Sequence, residues 1–408
     1  TVKQTTVKSV LVQPKETIYG IAKKYNVTQE QLLQWNPSLK DGLREGIKIY
    51  IENPANSKQL VETPKVQDII SPRKVKEVRE LTLLLPFNIK DDTFDNKSLL
   101  NKRLNSDVFL NMTLDFYAGA LMAIESAKEK NLPIHVNVVD SKENNRALNI
   151  ENLKKEVDFS STEVVIGPFF QKNVDAFSEA FKNQPLLIVS PLSTEVGEPY
   201  ANQVHSMPNG VMMKNTMMEF LRSKNGNVLA VLNPKSSSSQ AFFTSNFSEV
   251  KQINTSENGA ITSAAIEAQF IAGKTNFVVL DSNSLKTAID LVSILKKLQK
   301  KYDVQLVVLE KSDVLDSTEI NTQDLADLKF TFPSVTNESE NKKEKKFEEA
   351  FKKKYGVNPS RFAVRGFDVT QDVLTRMLQS DDPAENIFGY GSEQIENKFM
   401  YVNANGGI

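Results

Sequence analysis

From residue 81 onward, short apolar strands alternate with amphipathic helices, and this alternation limits the possible folds more than any other feature of the sequence. Residues 81–87 predict the first strand, and residues 112–130 predict a helix whose apolar residues fall on one side. Further strands are predicted at 134–139, 164–166 and 186–190, with helices at 148–157 and 174–181. Near-continuous apolar strands between helices indicate a parallel sheet covered by helices on both faces.

The pattern restarts at Pro208, which indicates a second set of the same kind. Helices are predicted at 212–221 and 285–298, with strands at 228–232, 277–280 and 304–309. Two further helices are predicted at 343–355 and 361–379. Residues 81–408 are therefore predicted to form a two-lobed, doubly wound α/β domain with parallel sheets.

A small β-α-α-β pattern precedes this domain, over residues 10–53. Thr17 is a predicted N-cap, and apolar residues at 18, 21, 22 and 25 follow it at helical spacing. Asn26 is expected to end that helix in a left-handed conformation. Thr28 and Gln31 fit a capping box at the start of a second helix, and alternating isoleucines at 47, 49 and 51 predict a closing strand.

The segments around this pattern are polar. Residues 54–80 contain prolines and many lysines and glutamates but no aromatic residue, so they are predicted to be an extended linker. Residues 1–9 are a polar N-terminal tail. The polar start at Thr1 fits a mature exported protein whose signal peptide has been removed, and equally a shortened chain.

Composition narrows the functions open to the chain. Its formal net charge of −1 supplies no basic field for nucleic acid, and no stretch approaches the ~18–20 apolar residues of a membrane span. The absence of cysteine removes disulfides, thiolate metal sites and cysteine nucleophiles. Because His135 and His205 lie far apart and no catalytic motif surrounds them, no metal site, cofactor or catalytic residue is predicted.

Three stretches of the first pattern carry a family resemblance: VQPKETIYGIAKKY at 12–25, QLLQWNPSL at 31–39 and LREGIKIYI at 43–51. With them the module resembles the LysM family, which binds peptidoglycan glycans that contain N-acetylglucosamine. The family groove lies between the loop before the first helix and the loop after the second. Carried over by position, it implies glycan contacts from Glu16, Thr17, Ile18, Tyr19, Asn36, Pro37, Ser38 and Leu39. The usual Gly-Asp before the threonine is Lys15-Glu16 here.

Five motifs of the second domain carry another resemblance: LLPF at 84–87, DFYAGALMAIE at 115–125, VIGP at 165–168, IVSPLST at 188–194 and GFD at 366–368. The domain is similar to type I periplasmic binding proteins, particularly the branched-chain amino acid receptors. The resemblance implies lobe 1 over about 81–203 and 334–380, and lobe 2 over about 204–333 and 381–408. Because that family has another strand where this chain stops, we expect the native chain to continue past residue 408.

In open α/β sheets, ligands bind beyond the carboxyl ends of the strands. At those ends the resemblance implies cleft contacts from Phe87, Phe169, Gln171, Ser193 and Thr194. The amino acid receptors hold the ligand carboxylate with a hydroxyl and backbone amides after the Gly-Pro strand, and residues 169–172 lack that hydroxyl. A free amino acid is therefore disfavoured, whereas a different small molecule, or a platform that binds no ligand, fits as well.

These observations favour a non-enzymatic exported protein of the periplasm or cell envelope. It would bind peptidoglycan through LysM and use the two-lobed domain as a ligand sensor or as a docking platform for an envelope or outer-membrane protein. A solute receptor for a small molecule such as an amino acid is the first alternative. A cell-wall hydrolase is the second, because Asp91, Asp92 and Asp95 could supply a glycosidase carboxyl pair, although their polar setting favours a solvated cluster.

Overall fold

The structure is a computed structural model of the 408-residue chain. It describes residues 9–12, 16–36, 39, 43, 48–51, 78–89, 96–143, 147–310, 313–337, 342–379, 387 and 391–402. Most of the predicted linker lies outside the described residues, as do the carboxylates Asp91, Asp92 and Asp95. The chain divides into two compact units, Thr1–Val66 and Gln67–Ile408.

The first unit contains the predicted β-α-α-β arrangement. Strand β1 (Ser9–Leu11) pairs antiparallel with β2 (Lys48–Tyr50), and helices α1 (Ile18–Tyr25) and α2 (Gln29–Trp35) lie between them in the chain. The buried apolar side chains among its described residues form one cluster, made of Val12, Ile21, Ala22, Leu32, Leu39, Ile49 and Ile51. The apolar residues at alternating positions of the strands and at helical spacing in the helices therefore pack into a single small core.

Both helices of this unit begin with the side-chain caps that the sequence predicts. The Thr17 hydroxyl accepts a hydrogen bond from the Gly20 amide at 3.0 Å, and Asn26 ends α1 with a φ of 56°. At α2, the Thr28 hydroxyl accepts from the Gln31 amide at 3.1 Å, while the Gln31 side chain accepts from the Thr28 amide at 2.8 Å. A side-chain N-cap stabilises a helix by about 1 kcal/mol, so local sequence sets where both helices begin.

The first lobe of the second unit is built on a parallel sheet. Its strands are β3 (Arg79–Leu85), β4 (Ile134–Asp140), β5 (Val164–Ile166), β6 (Leu187–Ser190) and β7 (Gln203–His205), in the order β4-β3-β5-β6-β7. The sequence assigned Arg79 to the linker, but this residue begins β3, where its buried side chain donates through Nε to Glu163 Oε1 at 2.9 Å. The predicted lobe boundary after residue 203 falls inside β7, which pairs with β6 in this sheet.

Helices cover both faces of this sheet. They are α4 (Val108–Glu129), α5 (Ile150–Glu156) and α6 (Gln171–Ala180); α3 (Lys97–Ser106) precedes α4 and has no buried residue. Leu81, Leu83 and Leu85 of β3 pack with α4 on one face, whereas Leu84 packs with α5 and α6 on the other. Since successive strand residues point to opposite faces, the apolar run of β3 serves two cores, as expected of a doubly wound sheet.

The second lobe has its own helices and strands. They are α7 (Gly210–Ser223), β8 (Asn227–Leu232), α8 (Ser237–Asn246), β9 (Lys251–Asn254), α9 (Ser263–Glu267), β10 (Thr275–Asp281), α10 (Leu285–Leu298), β11 (Asp303–Val308), a 3₁₀ turn (Asp313–Asp316) and α11 (Thr322–Asp327). The strands form a parallel sheet in the order β11-β10-β8-β9. Ala230 and Val279 pack with α7 and α8 on one face, and Leu229 and Val278 pack with α10 on the other.

The chain returns to the first lobe through α12 (Lys342–Tyr355) and α13 (Arg361–Met377). Helix α13 crosses α4 closely. A β-carbon on Gly119 would collide with the backbone of Ala363, and one on Gly366 would collide with the backbone of Phe116. Glycine at both positions therefore allows the two helix backbones to touch.

Helix α4 is long and apolar enough to cross a membrane by length and composition alone, although no stretch of that kind was predicted from the sequence. In the structure, its residues Phe116, Ala120 and Ala123 are fully buried in the core that also contains β3 and β5. A core helix passes the same test of length and composition, and this packing accounts for the apolar side of α4.

The described C-terminal residues, 387 and 391–402, pack on the first lobe, which corrects the predicted assignment of this part of 381–408 to the second lobe. Strands β12 (Ser392–Glu393) and β13 (Lys398–Phe399) form a small antiparallel hairpin. Ile387, Phe399 and Tyr401 belong to the core that contains α13. The Asp368 carboxylate on α13 accepts hydrogen bonds from the backbone amides of Ile395, Glu396 and Asn397, at 2.9, 3.0 and 2.9 Å. These bonds hold the segment in a place that its own sequence pattern does not indicate.

Candidate functional site

The predicted glycan residues at the start of α1 have different structural roles. Glu16 Oε1 lies 3.0 Å from Lys24 Nζ, and Thr17 caps the helix. Ile18 is half-buried against the core of the unit, whereas Tyr19 is 62% exposed. The Tyr19 ring therefore offers an apolar surface on which a sugar ring could pack.

The residues after α2 were predicted to form the other side of the groove. The Asn36 side chain is buried, and its Nδ2 donates to the Leu32 carbonyl at 2.9 Å. The Leu39 side chain is buried in the apolar core, while Pro37 and Ser38 lie outside the described residues. The side chains of Asn36 and Leu39 thus serve the fold of the module.

In the first lobe, helices change faces between two neighbouring strands. Helix α4 follows β3 on one face of the sheet, and α6 follows β5 on the other. Open α/β sheets bind ligands at such a switch point, beyond the carboxyl ends of the two strands. We call residues 86–89 and 167–170, which follow β3 and β5, the switch-point edge.

Two of the predicted cleft residues are aromatic and lie at this edge. Phe87 and Phe169 are both buried, with 9% and 5% of their surface exposed. Phe87 makes an edge contact with Tyr117 at 5.3 Å between ring centroids, and Phe169 makes one with Phe116 at 5.2 Å. Both rings belong to the core of the lobe, so little of either side chain is left to contact a ligand.

The three polar cleft residues do not share one setting. Gln171 is buried in the first turn of α6 and donates through Nε2 to Asp175 Oδ1 at 2.8 Å. The Ser193 hydroxyl accepts from the Glu195 amide at 3.2 Å, and Thr194 is exposed. Of the three, Gln171 is buried, Ser193 is half-buried and Thr194 is exposed.

Asp175 gathers a polar cluster around one of the two histidines. Its Oδ1 also accepts from Gln203 Nε2 at 3.0 Å, and His205 Nε2 lies 3.2 Å from that same Gln203 nitrogen. Burial lowers the pKa of His205, and the charge of Asp175 partly opposes this. Burial therefore favours the uncharged ring, which can accept a hydrogen bond from Gln203.

Glu143, which was not predicted as a site residue, contacts the switch-point edge. Its side chain is fully buried. Oε1 accepts from the Phe169 amide at 2.7 Å, and Oε2 accepts from Asn173 Nδ2 at 2.6 Å and from the Phe170 amide at 3.4 Å. Burial raises the pKa of Glu143, and the hydrogen bonds oppose the rise. The polar stretch around Glu143 has no apolar period, so the sequence carried no signal for its burial.

Two more side chains engage the backbone after β3. The Asp140 carboxylate accepts from the amides of Asn88 and Ile89, at 2.9 and 2.7 Å. Arg103 of α3 donates to the carbonyls of Phe87 and Asn88, each at 2.9 Å. The chain therefore supplies its own partners for backbone groups that face this end of the sheet.

A buried arginine on α13 joins three segments of the chain. Arg365 donates through Nε to the Pro191 carbonyl at 3.1 Å, through Nη2 to the Ser206 carbonyl at 2.6 Å, and through Nη1 to Asn397 Oδ1 at 2.7 Å. Burial lowers the pKa of Arg365 to about 10, which leaves it charged at neutral pH. It thereby ties the end of β6, the exit from the first lobe and the C-terminal hairpin together.

The corresponding end of the second lobe is lined by serines. Ser236 precedes α8 but makes no side-chain cap bond; its hydroxyl lies 2.8 Å from that of Ser239.

A shallow depression of about 580 Å³ lies in the first lobe, at the junction of α3 and α4. It is lined by Leu99, Lys102, Arg103, Ser106, Asp107 and Val108. Over the described ranges of the chain, no group of three or more metal-ligating side chains could hold a metal ion.

Comparison with protein families identifies the first unit. Residues 10–51 match the LysM domain. The match covers the β-α-α-β arrangement from β1 to the residue after β2, and it confirms the resemblance that the sequence motifs carried. No curated protein matches the chain.

Solved structures resemble the second unit. A branched-chain amino acid ABC transporter protein from Rhodospirillum rubrum is 14% identical, with 76% of this chain and 88% of that chain covered and a TM-score of 0.52. A substrate-binding protein from Desulfitobacterium hafniense, in complex with Leu, is 14% identical, with coverage of 80% and 93% and a TM-score of 0.47. One from Sphaerobacter thermophilus is 13% identical, with coverage of 81% and 91% and a TM-score of 0.46. The first similarity shows the fold, which is that of a two-lobed type I periplasmic binding protein.

Proposed function

We propose that this protein is a non-catalytic component of the bacterial cell envelope. It binds peptidoglycan through its LysM unit, and its two-lobed unit acts as a ligand sensor or as a docking platform for another envelope protein. The LysM match at residues 10–51 carries the proposal, because peptidoglycan lies outside the cytoplasmic membrane. The same observation supports export to the periplasm.

The LysM unit supports the glycan-binding part of the proposal through its surface. Thr17 and Asn26 cap α1 at its two ends, and Tyr19 lies exposed in the first turn. A helix held at both ends presents the tyrosine ring in a defined direction, which reduces the entropy lost when a sugar binds.

The two-lobed unit supports a binding role rather than a reaction. Its fold is shared with a branched-chain amino acid ABC transporter protein. In the described residues, His205 contacts an amide nitrogen, and the carboxylates of Glu143 and Asp368 accept hydrogen bonds from backbone amides. These partners position structure, and none of the three groups pairs with a nucleophile.

Retention on purified peptidoglycan sacculi tests the anchoring. We expect the full chain to sediment with sacculi and a variant without residues 1–53 to remain in the supernatant. Tyr19→Ala should weaken retention about tenfold, as expected when a tyrosine worth about 1.4 kcal/mol of binding is lost. Phe220→Ala is the matched control, because Phe220 is an exposed aromatic residue of the two-lobed unit. Unchanged retention after deletion of residues 1–53 would show that LysM is not the anchor.

A solute receptor is the second candidate, and the fold similarity favours it. Thermal unfolding with each amino acid in turn distinguishes the two functions. A ligand at 100 times its Kd stabilises the folded state by about 2.7 kcal/mol, so a shift of several degrees with one amino acid would favour transport. A hydrolase would instead release muropeptides from sacculi, which we do not expect.

A further inference from the structure

We infer that Glu143 is an internal ligand of the first lobe: its carboxylate occupies the anion-binding position at the switch-point edge, where an external carboxylate would otherwise bind. Helix α6 begins there, and its N-cap residue Phe170 makes no side-chain cap bond. Amides at a helix N-terminus bind anions. Here the amides of Phe169 and Phe170 donate to Glu143, and the Asn173 side chain adds a third donor.

The backbone groups after β3 are engaged in the same way. Asp140 accepts from the amides of Asn88 and Ile89, and Arg103 donates to the carbonyls of Phe87 and Asn88. A small polar ligand that entered the switch-point edge would have to displace these charged side chains. Both sides of the edge are therefore satisfied by the chain itself.

Packing closes the same place to apolar ligands. Glu143 is 0% exposed and Phe169 is 5% exposed. Phe170 stacks on Phe109 of α4, with 5.2 Å between centroids and an angle of 18° between the rings. A free amino acid needs room for both its carboxylate and its side chain, and the described residues at the switch-point edge, Glu143, Phe169 and Phe170, fill both places. This inference rests on the fold of the second unit, and it favours the platform over the solute receptor.

Chemical rescue of a truncated side chain tests the inference in the full chain. Glu143→Ala removes a group of the size and charge of acetate and leaves the amides of Phe169 and Phe170, just before α6, without this acceptor. We expect acetate to raise the unfolding temperature of this variant in a saturable way, by about 2 °C or more. Chloride at the same ionic strength, acetamide and the bulkier trimethylacetate should raise it less.

Three other proteins complete the experiment. The unmodified protein and Glu143→Gln keep the position filled, so acetate should leave their unfolding temperatures within about 1 °C. Glu151→Ala is the matched control, because Glu151 is an exposed glutamate in the first turn of α5. An equal rise for Glu143→Ala and Glu151→Ala, or no rise for a folded Glu143→Ala, would overturn the inference.

Titration of the unmodified protein with leucine gives an independent decision. We expect no binding at millimolar leucine, and saturable binding would overturn the inference even if Glu143→Ala did not fold. If Glu143→Ala does not fold on expression, its refolding yield in acetate is measured instead of its thermal shift. A higher yield in acetate than in chloride supports the internal ligand, and an equal yield contradicts it. Retention on sacculi is measured separately, so the failure of this inference is distinguishable from failure of the LysM anchor.

Discussion

The two lobes of the second unit differ in the polar residues that they bury. In the described part of the first lobe, the buried residues include six charged ones: Arg79, Glu143, Arg365, Asp368, Asp372 and Arg376. In the described part of the second lobe, the buried polar residues are neutral, namely Asn227, Ser239, Thr255, Asn276 and Thr287. Both lobes have a parallel sheet between helices, so the shared fold does not require this difference.

The buried charges lie where distant segments of the chain meet. Arg365 joins the end of β6 to the lobe exit and to the C-terminal hairpin. Arg376 pairs with Asp372 within α13, and Tyr401 donates to the same aspartate at 2.9 Å. Taking a charge out of water costs several kcal/mol unless it is paired. The first lobe therefore depends on a specific set of partners, whereas the second depends mainly on apolar packing.

The largest effect expected from this difference is that of Asp368→Ala. The Asp368 carboxylate accepts from three backbone amides and from Asn397 Nδ2 at 2.7 Å. The variant leaves these four donors without their buried acceptor, so we expect the free energy of unfolding to fall by about 3–5 kcal/mol. Urea unfolding measures it. The exposed Asp316 provides the control, since Asp316→Ala should cost less than about 0.5 kcal/mol. Equal costs for both variants would show that the buried charge is not needed.

A smaller effect is expected from the neutral network of the second lobe. Asn276 is fully buried; its Oδ1 accepts from the Ile271 amide at 2.9 Å, and its Nδ2 donates to the Asp303 carbonyl at 3.2 Å. Asn276→Ala should lower the free energy of unfolding by about 1–3 kcal/mol, the cost of buried polar groups left without partners. Asn283→Ala, at an exposed position, is the matched control. A cost above that of Asp368→Ala would reverse the comparison between the lobes.

The smallest expected effect is a pH dependence confined to the first lobe. Burial lowers the pKa of His205, so the unfolded chain takes up a proton at a higher pH than the folded protein does. The free energy of unfolding therefore falls as the pH drops below the unfolded histidine value of about 6.5. His205→Asn should reduce the loss between pH 7.5 and 5.5 in urea unfolding. The hydrogen-exchange rates of the β10 amides, in the second lobe, should be the same in His205→Asn and in the unmodified protein. A difference between these rates would argue that the pH dependence does not originate in the first lobe.

Prediction from sequence succeeded where local pattern and packing coincide. The caps at Thr17 and Thr28 and the strands with continuous apolar runs lie where the sequence placed them. Helix α8 was missed because its residues 237–246 are rich in serine and polar amides, and its helical state depends on burial of Phe243 against β8. The start of β3 was predicted at residue 81 instead of 79, because a charged residue such as Arg79 is typical of a polar linker. Its burial depends on the hydrogen bond to Glu163, which is distant in the sequence.

The candidate sites show the same difference between what local sequence predicts and what distant contacts decide. Of the predicted cleft residues, Phe87 and Phe169 are core side chains and Gln171 belongs to the Asp175 cluster. Glu143 escaped notice because a buried carboxylate is recognised by its donors, and those donors lie 26 to 30 positions further along the chain. In the LysM unit, Tyr19 was predicted from the motif to face the glycan, and its side chain is exposed as such a role requires. Its contact with glycan stays a prediction.

The sequence by itself determined the LysM module, the two α/β sets and most helix and strand positions, because caps, apolar periods and family motifs are local or nearly so. Only the tertiary structure decided that the C-terminal hairpin belongs to the first lobe and that Glu143 lies against the N-terminus of α6. Both depend on buried charges that find partners far away in the chain. Such pairings produce no periodic pattern in the sequence, and they stabilise the fold strongly only once the low-dielectric interior has formed.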